Sequence, residues 1–290
     1  MRSSRLSHRR LARFTATVGA AALLVLTVYA AQKTTVLEYK LPAGRSLTYQ
    51  YKQDQAQVME VQGQTMDTQV SNANTVTFKS KGLKDKNLLL GATIDDITLT
   101  ATSSMTGDMS PDMGGVKGKS FDMVLSPLGA EVDVTGAEAI TYGISGESQN
   151  ISSQFKVFFP DLPGKPVKVG DTWPSSDSFD QGSTSMNIRS ASQYVNTLEG
   201  FETVDGMECA RISAQITGTV SGTGNQGGMD LTMSGTSKGK MVWYFAVKEG
   251  IFVKATTETT SEVSVDVSAA GMTIPVTGTI KSEIKLTGKA

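Results

Sequence analysis

Apolar and polar residues alternate along most of the chain beyond residue 40, a pattern typical of β-strands with one face in a core and the other in water. The clearest run is residues 276–286, where one face is aliphatic and the other carries Thr, Lys and Glu. Thr, Val and Ile, which favour strands, are abundant, and turn signals such as Asp205-Gly206 separate the runs. The pattern predicts an all-β, antiparallel fold.

One segment has a helical period instead. Four apolar residues follow the spacing i, i+4, i+7 and i+8, which places them on one face of a helix. These residues are Ile151, Phe155, Phe158 and Phe159. We predict a short helix over residues 147–158, followed by a stiff linker that contains three prolines, so that residues 147–169 form a helix plus a Pro-rich linker.

The chain also carries marks of an internal duplication. The tripeptides at 117–119 and 238–240 are both Lys-Gly-Lys, lie 121 residues apart, and are followed at the same distance by Gly129 and Gly250. Further upstream, GRSL at 44–47 is echoed 126 residues later by GDTW, so the offset changes through loop insertions. A repeat of this length indicates a duplicated half-domain rather than a solenoid of short repeats.

These patterns together predict one β domain over residues 31–290. It is built from two fused repeats, at about 44–136 and 170–257. Each half has one apolar face, so the two halves are expected to share a core. The predicted architecture is an antiparallel curved sheet or incomplete barrel, with the short helix between the repeats.

The first 30 residues have a different composition. Five arginines precede a mostly apolar run from Val18 to Ala31, and Val28 and Ala30 are small enough for a signal-peptidase site. The run is shorter than the ~20 residues of a comfortable membrane helix. We predict that residues 1–30 are a signal peptide and that the mature protein is extracytoplasmic, either periplasmic or secreted. The alternative is a membrane anchor formed by an uncleaved N-terminal segment.

N-terminal sequencing of the protein purified from its own cells tests this prediction. Because the small residues Val28 and Ala30 mark the cleavage site, we expect the mature chain to begin near Ala31. A chain that still begins at Met1 and sediments with membranes would replace cleavage by anchoring.

The charge of the mature chain bears on its partners. Removal of residues 1–30 leaves 22 Lys and Arg against 28 Asp and Glu, a net charge of −6. A nucleic acid or an anionic membrane would require a basic face, so we predict no nucleic-acid partner and no stable membrane insertion after cleavage. The single cysteine, Cys209, excludes an intramolecular disulfide, and its place in an alternating strand predicts a buried, unreactive thiol.

The mature chain contains no histidine, because the only one, His8, lies in the predicted signal peptide. Its absence excludes Ser-His-Asp and Cys-His catalysis, and it excludes zinc sites that use histidine. We predict that the protein is not an enzyme and that it carries no metal or other cofactor.

One stretch resembles a known family. The run FPDLPGKPVKVGDTW, from Phe159 to Trp173, occurs with a strand hairpin near the start of the mature chain and a methionine-containing hairpin near its end. In these features the chain resembles a family of exported bacterial β-proteins catalogued only as a domain of unknown function, with LPGKPVKVGDTW as the most similar segment. The family is expected to be similar in architecture to the lipoprotein-localisation carriers, in which a curved antiparallel sheet wraps a helix or an apolar cavity. The resemblance implies this architecture over residues 36–288 and no catalytic residues.

The leading functional hypothesis is a non-catalytic exported protein that binds an apolar, lipid-like ligand or an envelope partner. The candidate cavity-lining residues are those of the predicted helix and of the methionine-containing hairpin, where apolar and polar residues alternate. Methionine adapts its shape well to apolar cavities. The candidates are Ile151, Phe155, Phe158, Phe159, Met229, Leu231 and Met233.

Three other functions stay open. The first is a structural or interaction module with no small ligand, which a fully packed core would favour. The second is a Cu(I) binder, because Met105, Met109 and Met113 are four residues apart and Met229 and Met233 follow in the equivalent region of the second half. Thioethers are soft ligands that suit Cu(I). The third is an enzyme that uses Asp and Glu alone, which needs two carboxylates facing each other at roughly 5–10 Å.

Overall fold

The computed structural model describes residues 34–290, apart from 105–106, 145–146, 183–184 and 227. The predicted signal peptide and Met105 lie outside the described residues. The strands are β1 (Ser46–Val61), β2 (Gln64–Lys84), β3 (Asn87–Ser103), β4 (Gly107–Met109), β5 (Ser120–Leu125), β6 (Glu131–Asp133), β7 (Thr141–Ile144), β8 (Glu147–Asn150), β9 (Thr172–Gly182), β10 (Met186–Val204), β11 (Met207–Gln226), β12 (Met229–Ala246), β13 (Ile251–Val267) and β14 (Met272–Lys289). The helices are α1 (Ser152–Phe155) and two 3-10 helices, Thr135–Ala139 and Ser268–Ala270. None of the described helices has the length and apolar character needed to cross a bilayer.

Eleven of the strands form one antiparallel sheet that curls into a half-barrel. Their order is β6-β5-β3-β2-β1-β14-β13-β12-β11-β10-β9, with β4 as a short additional partner of β3. The last strand, β14, lies between β1 and β13, so it joins the first part of the chain to the second. The sequence-based prediction of an antiparallel curved sheet or incomplete barrel is confirmed.

Each of the two predicted repeats corresponds to one run of neighbouring strands in the sheet. The strands β1-β2-β3-β5-β6 and β9-β10-β11-β12-β13 each form a five-stranded meander, and both meanders run in the same direction around the sheet. A left-handed glycine precedes each first strand, at Gly44 and at Gly170. The amide of Gly44 donates to the Ser80 carbonyl, and the amide of Gly170 donates in the same way to Leu198. The duplication itself stays a prediction, which a superposition of 44–136 on 170–257 would test.

Irregularities in the strand pairing also recur in both meanders. A bulge interrupts the pairing of β5 with β6 beside Leu125, and another interrupts that of β12 with β13 beside Phe245. The turns that follow contain Gly129 and Gly250, both with positive φ. A side chain at either glycine would collide with a neighbouring main chain, that of Pro160 or of Glu38. The two glycines therefore permit close packing as well as the turn itself.

Glycines on the inner face explain the tight curl of β10 to β13. A side chain at Gly222 would lie 2.7 Å from the Asn187 carbonyl oxygen, and one at Gly235 would lie 2.7 Å from the Val263 Cα. Neighbouring strands therefore approach each other more closely than a side chain would allow. Such glycines are typical of sharply bent sheets.

The core lies at one end of the long strands, which we call the packed end. Tyr49 at the start of β1, Trp243 near the end of β12 and Phe252 at the start of β13 are fully buried. Towards the turns that join β1 to β2 and β13 to β14, the strands alternate between half-buried and exposed residues instead. We call this second region the open end.

The packed end is closed by the segment 151–162, which we call the plug segment. It joins the two edges of the half-barrel: the amide of Leu162 donates to the Leu128 carbonyl at 2.7 Å on the β5–β6 side. On the opposite edge, the indole Nε1 of Trp173 in β9 donates to the Asp161 carbonyl at 3.2 Å. The plug segment therefore ties together the edge strands that the sheet leaves unpaired.

The helix predicted over 147–158 is wrong in its extent. Residues Glu147–Asn150 form β8, paired with β7, and α1 is a single turn over Ser152–Phe155. The Asn150 Oδ1 accepts hydrogen bonds from both the amide and the hydroxyl of Ser152, at 3.0 and 2.6 Å, and so starts the helical turn at that point. The chain is helical only over this one turn. After Phe155 it continues as a series of bends, which place Phe158 and Phe159 in the core.

The prediction for the cysteine is confirmed. Cys209 is fully buried on β11, and burial raises the pKa of its thiol to about 11. A thiol in this state is almost entirely protonated at neutral pH, so it is a poor nucleophile.

Candidate functional site

The four apolar residues of the predicted helix all lie in the core at the packed end. Phe158 and Phe159 contact each other and both contact Phe78, with ring centroids 5.0 to 5.1 Å apart. Phe155 packs edge-on against Phe121 at 4.8 Å, and Ile151 is 1% exposed. A small cavity beside Phe159 has a volume of about 10 Å³, enough for one water molecule. The plug segment therefore fills the packed end with its own side chains.

The open end presents a different inner surface. Near the ends of β1, β2 and β10 to β14, most of the inward side chains are aliphatic or methionine. Two of them, Leu231 and Val267, are buried. The others are half-buried and in reach of solvent. We call this surface the distal patch. Its residues are Met59, Met66, Met186, Ile188, Val220, Leu231, Met233, Val263, Val265, Val267, Met272, Ile274 and Val276.

The pairing makes the distal patch continuous across the sheet. Met233 lies opposite Val265, which in turn lies opposite Ile274. In the adjacent row, Val263 lies opposite Val276, and the row continues through Met59. Side chains paired across strands have Cβ atoms ~4.5–5.5 Å apart, so these rows form one uninterrupted apolar surface.

Between the packed end and the distal patch lies a band of neutral amides, which we call the amide belt. It consists of Gln53, Gln55, Gln57, Asn72 and Asn74. The three glutamines alternate along β1, between the buried Tyr49 and Met59 of the distal patch. The asparagines follow β2, where Asn72 lies opposite Gln53.

The inner face of the open end is nearly free of charge. On the described inner faces of β1, β2 and β9 to β14, beyond the packed end, Asp177 on edge strand β9 is the one residue with a carboxyl or basic side chain. The outer face of the same strands is rich in threonine and charge, as in the exposed ion pair of Lys281 with Glu258, 3.3 Å apart. At the open end, the inner face of the sheet is therefore a nearly uncharged groove, whereas the outer face is charged and exposed to solvent.

The predicted ligand-lining residues do not come together in one place. Ile151 and the three phenylalanines belong to the packed end, whereas Leu231 and Met233 belong to the distal patch, and Met229 at the start of β12 is 42% exposed. Twelve residues of β12 separate Leu231 from the core residue Trp243, which is ~40 Å at about 3.3 Å per residue. Only Leu231, Met233 and Met229 lie towards the open end.

Three carboxyl groups at the seam between the edge strands interact electrostatically, and we call them the seam cluster. They are Glu131 on β6, Asp161 in the plug segment and Asp177 on β9. Burial, assisted by the charges of Asp177 and Asp161, raises the pKa of Glu131 to about 8, although its Oε1 accepts a hydrogen bond from the Phe159 amide at 2.8 Å. Burial and Asp161 raise the pKa of Asp177 to about 6, and burial raises the pKa of Asp161 as well.

One carboxyl of this cluster binds the main chain of the plug segment, and the cluster lacks the arrangement of a metal site. In the described part of the chain, no group of three His, Cys, Asp or Glu side chains has the arrangement to hold a metal. The Glu131 carboxyl instead holds the main chain of the plug segment through Phe159. The pKa values of Tyr39 and Tyr194 are both raised, mainly by burial. The charges of the three carboxyl groups add to this effect.

The methionines of the Cu(I) hypothesis are dispersed. Met113 is buried in the core and Met109 lies on β4 at the β3 side of the sheet. Met233 lies on β12, and the order of the sheet places β2, β1, β14 and β13 between β3 and β12. The observed arrangement gives these thioethers no common centre among the described residues.

Comparison with known proteins adds little to this geometry. No protein-family model matches the chain, and no curated protein matches its sequence. A putative exported protein with a YmcC-like fold from Bacteroides fragilis matches with a TM-score of 0.29 and 8% identity, over 88% of this chain and 99% of that one. An outer membrane channel from Pseudomonas putida F1 matches at 0.27 and 8%, over 86% and 97%, and a DUF1329 family protein from Desulfovibrio piger at 0.19 and 10%, over 83% and 84%. Likenesses this weak carry no argument about this chain.

Sequence reasoning missed the amide belt and the seam cluster. The belt has a visible signal, since Gln53, Gln55 and Gln57 alternate in the manner of one strand face. The seam cluster leaves no signal in the sequence, because Glu131 and Asp177 lie 46 residues apart and come near each other only through the curl of the sheet.

Proposed function

We propose that the protein is a non-catalytic, exported binding protein that holds an apolar, lipid-like ligand in the groove at the open end of its half-barrel. The observation that carries this proposal is the distal patch, an apolar surface of Val, Ile, Leu and Met on an inner face whose one described carboxyl is Asp177 on the edge strand. Export rests on the composition of residues 1–30.

Three features support a ligand in this groove. Apart from Leu231 and Val267, the side chains of the distal patch are half-buried, so they stay in reach of a ligand, whereas the packed end is filled by its own phenylalanines. Contiguous exposed apolar surface is costly in water and is typical of a binding site. The flexible side chains of Met59, Met66 and Met233 allow the surface to adapt its shape to the apolar chain of a ligand.

A fluorescent apolar probe, N-phenyl-1-naphthylamine, tests the proposal. We expect it to bind the wild-type protein, and we expect Met233→Asp to weaken binding about tenfold or more, because a carboxylate in an apolar site must be desolvated without a partner. The measurement is a fluorescence titration at neutral pH. Thr232→Asp is the matched control, since Thr232 is the neighbouring residue on β12 with its side chain on the exposed outer face, and it should leave the affinity within about twofold.

Equal effects of the two aspartates, or no binding of the probe by the wild type, would contradict the proposal. The second result would favour an interaction module that uses the same apolar surface for an envelope partner. Native mass spectrometry of protein purified from its own envelope gives an independent test, because a bound lipid should appear as a discrete added mass.

A further inference from the structure

The amide belt contains two buried oxygen atoms that have no hydrogen-bond partner. These are the Oδ1 atoms of Asn72 and Asn74. Asn74 is 7% exposed, and its Nδ2 already donates to the Oε1 of Gln154 in the plug segment at 3.0 Å. Beside them, the Gln53 Oε1 accepts from the Tyr51 hydroxyl. The belt therefore has acceptors to spare at the point where the groove meets the plug.

An unpartnered buried acceptor is unfavourable, and native proteins rarely leave one without a water or a ligand. Both spare atoms are carbonyl oxygens, so the missing group has to be a donor. The inner faces of β1 and β2 carry no charged side chain beside the belt. A charged head group would therefore be buried without a counter-charge, which is costly, whereas hydroxyl groups satisfy the acceptors without that cost.

The distance between the amide belt and the distal patch also suits a single amphiphilic ligand. Along β2, Asn72 is six residues from Met66 of the distal patch, which is ~20 Å at about 3.3 Å per residue. The same spacing separates Gln53 from Met59 on β1. One amphiphile can therefore contact the belt with its head and the distal patch with its chain.

We propose that the amide belt is the head-group subsite of the groove, and that it takes the hydroxyl groups of an uncharged amphiphile such as a monoacylglycerol. This inference rests on the proposed function and makes it more specific. The spare oxygens of Asn72 and Asn74 accept from the ligand hydroxyls, while the acyl chain runs along β1 and β2 to the distal patch.

The test compares two ligands with the same acyl chain, 1-monomyristoylglycerol and myristate, by displacement of N-phenyl-1-naphthylamine at pH 8. The wild-type protein should bind the glycerol ester about tenfold more tightly, as expected for two neutral hydrogen bonds and the absence of a buried charge. Asn72→Leu replaces the amide by an apolar group of similar size. It should bring the two ligands within about twofold of each other and leave the affinity for the apolar probe unchanged.

Gln69→Leu is the matched control, because Gln69 is an exposed amide on the outer face of the same strand, and it should keep the tenfold preference. If Asn72→Leu does not fold, Gln53→Leu replaces it, with the same expected loss of preference. Probe binding without any preference in the wild type, or a preference that survives Asn72→Leu, would overturn the subsite and mean that only water fills the belt. No probe binding at all would instead overturn the proposed function on which the inference rests.

Discussion

Phe155→Ala is expected to lower the free energy of unfolding by about 3–5 kcal/mol, the typical cost of emptying a buried phenylalanine site. Phe155 is 2% exposed and packs against Phe78, Phe121 and Phe158, so its removal leaves a cavity lined by rings that are fixed on separate elements. The loss should appear as a lower midpoint in urea without a change in the slope of the transition.

Two measurements make this result specific to the plug. Phe201→Ala removes a phenylalanine that is 39% exposed on β10, and it should cost less than about 1 kcal/mol. In addition, Phe155→Ala should leave the affinity for N-phenyl-1-naphthylamine unchanged, because the distal patch lies at the other end of the strands. Unchanged stability together with faster release of the probe would instead mean that the plug segment is a lid over the ligand.

The strands and their faces could be predicted from the sequence, because period-two alternation records which side chains are inside. Val276, Ile280 and Ile284 do lie on the inner face of β14, with Lys281 and Glu283 exposed opposite. The same alternation identified Leu231 and Met233 as inward residues. Alternation does not say which part of a strand is covered, so it does not separate the packed end from the open end.

The plug segment shows where local pattern gives the wrong structure. Spacings of three and four residues favour a helix only if the hydrogen bonds of the helix continue, and after Phe155 they stop. Phe158 and Phe159 are instead held by ring contacts with Tyr49, which is about 110 residues away in sequence. Such tertiary contacts override a local helical preference and leave no trace in the spacing.

The division into two ends has a physical origin in the plug. A half-barrel exposes two edge strands, and the plug segment joins them only at the packed end, through Leu162 on one side and Trp173 on the other. Glycines such as Gly222 and Gly235 lie on the inner face beyond the plug, where neighbouring strands approach each other closely. The half-buried apolar residues on this curled inner face are the basis of the groove in the proposed function.

The seam cluster predicts a stability that falls as the pH rises. The folded state raises the pKa of Glu131 from 4.5 to about 8 and that of Asp177 from 3.8 to about 6, so between about pH 4 and pH 8 the folded protein holds more protons than the unfolded chain. Stability rises with pH only where the unfolded state holds more protons, so here the sign is the opposite. The contribution of protonated Glu131 is complete below about pH 4.5 and is lost as the pH passes through about 8.

We expect the melting temperature to fall by roughly 8–17 °C from pH 5 to pH 8.5, because pH 5 lies about three units below the pKa of Glu131. One pKa unit corresponds to about 1.4 kcal/mol, and 1 kcal/mol to about 2–4 °C in a chain of this size. Glu131→Gln keeps the acceptor for the Phe159 amide but cannot ionise, so it should remove more than half of this fall and raise the melting temperature at pH 8.5. Glu60→Gln, at an exposed position near the end of β1, should leave the pH profile of the wild type intact. A profile that is the same in Glu131→Gln and the wild type would show that the seam does not titrate, and that the plug segment is held by its apolar contacts alone.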